Sequence, residues 1–154
     1  MTPEELIAQL AIDHCYFVYT GGGVTFGGGE PLLHSRQIMA FAELCPKEWN
    51  ITLETSLNVP AELLLPLLNG RFSFIVDIKA MQPEIYLNYT GRENRQAVEN
   101  LSVLQTKIPK DHYVVKLPMI PGYSGKTEIN DSLKKLQGLG IPAENTATFS
   151  YIVV

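Results

Sequence analysis

Hydrophobic positions along this chain switch period several times, from the 3.6-residue spacing of helices to the alternation of strands and back. Leu6, Ile7, Leu10 and Ala11 repeat at helical spacing behind Thr2-Pro3-Glu4-Glu5, where an N-cap, a first-turn proline and a capping-box glutamate coincide. Cys15 to Thr20 is apolar and ambiguous, and leads into a short strand ending near Phe26. Ser35 can cap the next helix, whose inward face carries Ile38, Phe41, Ala42 and Cys45. Trp49 to Ser56 alternates, with Thr52, Glu54 and Ser56 on one face and Ile51, Leu53 and Thr55 on the other. Pro60 opens a helix bearing Leu63, Leu64, Leu67 and Leu68, which stops at Gly70. Phe72 to Lys79 alternates again, followed by a short helix over 82 to 89, a longer one from about Glu93 to Gln105, and a strand from Tyr113 to Met119. A last helix over about Glu128 to Leu136 and a final apolar run, Ala147 to Val154, complete the series.

Strand and helix alternating in this way imply βαβ units and a parallel sheet. Both faces of such a sheet are normally covered, so ionisable groups on the inward face call for a reason. Three successive strands carry them toward their C-terminal ends: Glu54, then Asp77 with Lys79, then Lys116. Ligands bind at those ends in α/β folds. Glu30, at the end of the first strand, adds to a ring of acids and lysines around one mouth. Pairing as buried salt bridges is the competing account, and a costly way to hold a fold together. Pro31 biases Glu30 toward extended backbone, while the glycine triplets on either side of Val24-Thr25-Phe26 let backbone approach a ligand closely.

Composition narrows the function further. A chain of 154 residues suits one domain, 1–154, with a real core. Its 12 basic and 16 acidic residues give a net charge of −4 with no basic cluster, which argues against nucleic acid. No apolar run has the roughly 18 residues of a membrane span, and MTPEELIAQL is unlike a signal peptide, so a cytoplasmic setting is expected. Cys15 and Cys45, thirty positions apart, form no metal-ligand set, and Cys45 is expected in the core. Gly27-Gly28-Gly29 fails as a dinucleotide loop, because the third glycine of GxGxxG would fall at Leu32. Gly125-Lys126-Thr127 fails as a P-loop end, because Ile120 stands where the leading glycine is required, so Ser124 and Thr127 are read as helix initiators. The three histidines lack metal spacing, and no GxSxG elbow supports a triad.

GGGVTFGGGEPLLH at 21–34, LETS at 53–56, DIK at 77–79, YTGREN at 89–94 and KLPMIPGYS at 116–124 occur together in order. In this the chain resembles the radical S-adenosylmethionine (SAM) activating enzymes, above all the pyruvate formate-lyase activating enzyme and other glycyl-radical-enzyme activases. The resemblance implies an α/β fold, a partial (β/α)6 TIM-like barrel, with S-adenosylmethionine and a [4Fe-4S] cluster at its mouth and a glycyl-radical enzyme, pyruvate formate-lyase-like, as partner. It implies that Gly28, Gly29 and Glu30 meet the methionine ammonium and that Asp77 and Lys79 form the family's acid-x-lysine pair. Glu54 and Ser56 would line the ligand, and Lys116 stands in for a usual arginine without its bidentate grip.

The family's CxxxCxxC cluster motif is absent, and two distant cysteines cannot replace three ligands. That motif and the first barrel strand are expected upstream of Met1. No catalytic or metal-binding residue is therefore assigned, and the chain is expected to be inactive alone. Leu57 stands where glycine is common, so the loop after Glu54 is expected to sit differently, and TFSYIVV replaces a histidine-bearing LPYH stretch. Three readings follow: the S-adenosylmethionine-binding portion of an activase, or, without catalysis, a non-redox S-adenosylmethionine or nucleotide module or one part of a split barrel.

Overall fold

A computed structural model describes residues 1–151. Five parallel strands make one sheet in sequence order: β1 (Gly23–Phe26), β2 (Asn50–Thr55), β3 (Phe72–Asp77), β4 (Tyr113–Met119) and β5 (Thr146–Ser150). Because every strand runs the same way, the loops after all of them open onto one mouth. β1 lies so close to β2 that a Cβ on Gly23 would collide with the Asn50 carbonyl.

The helices follow from the same sequence signals. Thr2 caps α1 (Pro3–Leu10) and exchanges hydrogen bonds with Glu5 in a capping box. The ambiguous segment before the glycines is helical: α2 (His14–Thr20) stops at Gly21 in the left-handed region, φ 63°. Its His14 accepts a 3.0 Å hydrogen bond from the Trp49 indole, while Ile12 before it and its Tyr16 and Tyr19 are exposed. A single turn over Pro31–His34 leads into α3 (Ser35–Leu44), so His34 and not Ser35 occupies the cap position. After β2, Pro66 cannot donate to a continuing helix, so α4 (Ala61–Leu64) gives way to a tighter turn. The sequence expectation of one helix to Gly70 is corrected accordingly. α5 (Pro83–Thr90) and α6 (Arg95–Lys107) join β3 to β4, and α7 (Lys126–Gly138) precedes β5. Ser124 does not cap α7: its hydroxyl accepts from the Ile120 amide, and Glu128 accepts from the Gly125 amide instead.

Alternation decides which strand residues are buried. Ile51, Leu53, Phe72, Phe74, Val76, Val115 and Leu117 pack beneath Ile38, Phe41, Leu64, Leu101, Leu104 and Leu136 of the helices. Thr52, Glu54, Ser73, Asp77 and Lys116 line the opposite, half-buried face. The terminal run was read as apolar from Ala147 to Val154; its β5 portion is strand, and residues 152–154 lie outside the described residues.

Leu57 carries the most instructive backbone. It holds φ 57°, a conformation glycine adopts freely, with its side chain fully buried. The loop after β2 therefore turns through left-handed backbone at a residue other than glycine. Two side chains hold it there with three hydrogen bonds: Thr55 Oγ1 accepts from the Leu57 amide at 2.9 Å, and the buried Asn100 amide donates to both Leu57 O and Val59 O at 2.8 Å. Leu57→Ala should cost about 2–5 kcal/mol in urea unfolding, the usual range for emptying such a site. Leu57→Gly should be more stable than Leu57→Ala, by up to about 1 kcal/mol, because only the alanine retains left-handed strain. The reverse order would show that the turn is not strained.

Candidate active-site mouth

Each residue of the predicted ring reaches the mouth, and the structure pairs most of them. Asp77, the last residue of β3, receives Lys79 Nζ at 2.7 Å on Oδ2, with both side chains about one quarter exposed. Glu54 of β2 receives Lys116 Nζ of β4 at 3.1 Å on Oε1, and these side chains are 42% and 34% exposed. Pairs this wet contribute little to stability, commonly below ~1 kcal/mol. Ion pairing therefore accounts for their geometry without supplying a structural reason for their presence.

Asp77 Oδ1 differs from the other acceptors: it is buried and, among the described residues, has no hydrogen-bond partner. Leaving a carboxylate oxygen desolvated and unpaired is costly, which sets Asp77 apart from the other acids of the mouth. Lys79 itself is held from a second side, donating at 2.9 Å to Tyr151 Oη, with its Nζ 5.7 Å from that ring's centre. Phe149 meets the Tyr151 ring edge-on at 5.6 Å.

Glu30 follows Gly28 and Gly29, which hold φ 77° and 58°. Its backbone is extended, φ −127°, as the following proline requires. Thr55 Oγ1 and Ser56 Oγ each donate to its carboxylate at 2.6 Å, and the Ser56 and Leu32 amides donate at 3.0 and 3.2 Å. Next to Ser56, the Asn58 side chain donates to Tyr86 Oη at 3.3 Å and to Glu93 O at 2.9 Å. Burial raises the Tyr86 phenol's pKa, the Asn58 hydrogen bond pulls it partly back, and the Asp77 charge adds to the rise.

Sequence reading located Gly28, Gly29, Glu30, Glu54, Ser56, Asp77, Lys79 and Lys116, and all lie at the C-terminal end of the sheet or in the loops leaving it. It missed Thr55, Asn58, Tyr86 and Tyr151. Thr55 alternates onto the core face and bends back only through its hydroxyl, and Tyr86 reads as an ordinary helix aromatic. Tyr151 could have been found, since it extends the inward alternation of Ala147 and Phe149.

The model of the Radical SAM superfamily matches residues 1–136. The chain belongs to the radical SAM superfamily. Its five-stranded sheet is part of that superfamily's TIM-like barrel. The radical SAM chain is 34% identical over 138 residues to the (2S)-3-sulfopropanediol dehydratase activating enzyme of Klebsiella oxytoca, covering 89% of this chain and 41% of the relative. It is also 34% identical over 129 residues to the 4-hydroxyphenylacetate decarboxylase activating enzyme of Clostridioides difficile strain 630, covering 82% and 40%. The chain thus spans about two fifths of the length of these curated relatives. A crystal structure of a domain of pyruvate-formate lyase-activating enzyme from Bacteroides vulgatus superposes with a TM-score of 0.56 at 16% identity, over 83% of this chain and 99% of that one, and supports the fold.

Superfamily membership implies S-adenosylmethionine and a [4Fe-4S] cluster, and the two fare differently here. The free Asp77 oxygen and the lysines beside it fit a zwitterionic, hydroxyl-bearing ligand. The thiols do not fit a cluster. Cys15 is exposed on α2 and Cys45 is buried before β2, beneath Arg71, so both lie toward the N-terminal side of the sheet. Among the described residues no three His, Cys, Asp or Glu side chains could hold a metal ion. No helix among them is long and apolar enough to cross a membrane.

Burial pulls the Lys79 pKa down, but the hydrogen bonds to Asp77 and Tyr151 outweigh it and hold it above the ordinary value. A raised folded value means that stabilisation is full below the unfolded pKa of about 10.4 and is lost as pH rises through the folded one. The stability gap between wild type and Lys79→Met should accordingly be constant to about pH 9 and shrink by about pH 11.5 in urea titrations. A gap that widens with pH would contradict the assigned pairing.

Proposed function

We propose that this chain provides the S-adenosylmethionine-binding surface of a glycyl-radical-enzyme activating protein. The observation that carries the reading is the buried Asp77 Oδ1 at the mouth, which has no hydrogen-bond partner among the described residues and is flanked by Lys79. In this reading the Gly28-Gly29-Glu30 turn meets the methionine ammonium, and Lys79 faces its carboxylate. Asp77 takes a donor from the ammonium or ribose. Glu54, Ser56 and Lys116 line the remaining wall, with Lys116 acting as a point charge where a planar guanidinium would grip at two points. When bound, S-adenosylmethionine would supply the 5′-deoxyadenosyl group for hydrogen removal from a glycine of the partner enzyme, once a [4Fe-4S] cluster held outside the described residues gave the electron that breaks its C–S bond. The activating-enzyme relatives support a glycyl-radical enzyme in general as that partner; that it is of the pyruvate formate-lyase type is part of the proposal.

The scattered thiols favour a second reading, in which the chain binds S-adenosylmethionine or a nucleotide without redox chemistry of its own. Both readings stop at binding for the residues described.

Titration calorimetry should detect S-adenosylmethionine binding to the chain, weakened at least about tenfold by Asp77→Asn, the loss of one hydrogen bond to a charged group. Absence of binding to a folded wild-type chain would overturn the proposal. Anaerobic reconstitution with iron and sulfide should leave no stable cluster; a site-differentiated cluster on this chain would overturn the reading of its thiols.

A further inference from the structure

The acid of the Gly28-Gly29-Glu30 turn is the one member of the mouth whose chemistry departs from the role just given. An ionised carboxylate offers about four acceptor positions. Those of Glu30 are taken by its own chain: Oε1 accepts from Thr55 Oγ1 and the Leu32 amide, and Oε2 accepts from the Ser56 amide and Ser56 Oγ. The two hydroxyl contacts, at 2.6 Å, lie in the short range of charge-assisted bonds. An ammonium could reach this carboxylate only by displacing one of these donors.

We infer that Glu30 is a positioning residue that clasps the loop after β1 to the loop after β2, and that it does not contact the ligand's ammonium. The clasp extends beyond the carboxylate. Thr55 Oγ1, 2% exposed as a residue, also accepts from the Leu57 amide at 2.9 Å, and Ser56 Oγ accepts from the Asn58 amide at 3.2 Å. One anionic group thereby fixes both the left-handed Gly28-Gly29 pair and the left-handed Leu57 turn. What the first loop can present to a ligand is glycine backbone, exposed and without side chains. The inference rests on the proposal that the mouth takes S-adenosylmethionine.

The test compares wild type, Glu30→Gln and Thr55→Val by amide hydrogen exchange and by calorimetry with two probes: S-adenosylmethionine and its analogue lacking the α-amino group. In the ligand-free protein, Glu30→Gln should speed exchange of the Ser56 and Leu32 amides by at least about tenfold. It should weaken both probes by the same factor, and Thr55→Val, nearly isosteric, should do likewise to a smaller extent. The two substitutions combined should lose less than the product of their separate factors, because they break one shared contact. A Glu30→Gln defect that vanishes with the des-amino analogue would overturn the inference, since it would identify the carboxylate as the ammonium's direct partner. Unchanged exchange at Ser56 would overturn it as well. If wild type binds neither probe, the functional reading fails, while the exchange measurement still decides whether Glu30 is a clasp.

Discussion

The loops leaving β1 and β2 meet at the Glu30 carboxylate, and the hydrogen bonds converging there fix the mouth of the sheet. Parallel strands set the starting points of these loops but not their course. Gly28 and Gly29 have almost unrestricted backbone freedom, so without a tether the first loop would sample many shapes. A single charge binding donors from a strand end, a following turn and its own loop removes that freedom. The second loop is fixed by the same device from the opposite side, with Asn100 completing it from α6.

The remaining charges of the mouth obey a different logic. Glu54 with Lys116 and Asp77 with Lys79 form half-exposed pairs across or along strands, too wet to secure the sheet. The core beneath them already does so, with Leu53, Phe72, Val76, Val115 and Leu117 at or near zero exposure. What the pairs achieve is the mutual neutralisation of four charges, leaving among the described residues one buried carboxylate oxygen without a hydrogen-bond partner.

Much of this was legible in the sequence because period and polarity agreed. The alternation in Tyr113 to Met119 gave β4 its bounds and both its faces, and the inward Asp77 and Lys116 fell in register on adjacent strands, with Glu54 two residues lower on β2. Other parts were illegible for physical reasons. His14 to Thr20 is helical through its link to Trp49 and its glycine stop, although no period marks it. The helix after Pro60 is cut short by Pro66, a local rule outweighed in the reading by the leucine spacing. Leu57 concealed its left-handed turn because the residue type argues against that backbone, and Thr55 and Asn100, one two positions and one 43 positions away, hold it there. The role of Glu30 was hidden for a related reason: an acid after two glycines has the same appearance whether its partners are ligand or protein.

Lys79 carries a consequence for binding entropy. A free lysine side chain gives up on the order of 1.5–2 kcal/mol of rotamer freedom when it is immobilised. Here Asp77 and the Tyr151 hydroxyl and ring already immobilise it in the ligand-free fold. That loss belongs to folding, and an anionic group arriving at the mouth meets a cation that has almost no disorder left to surrender.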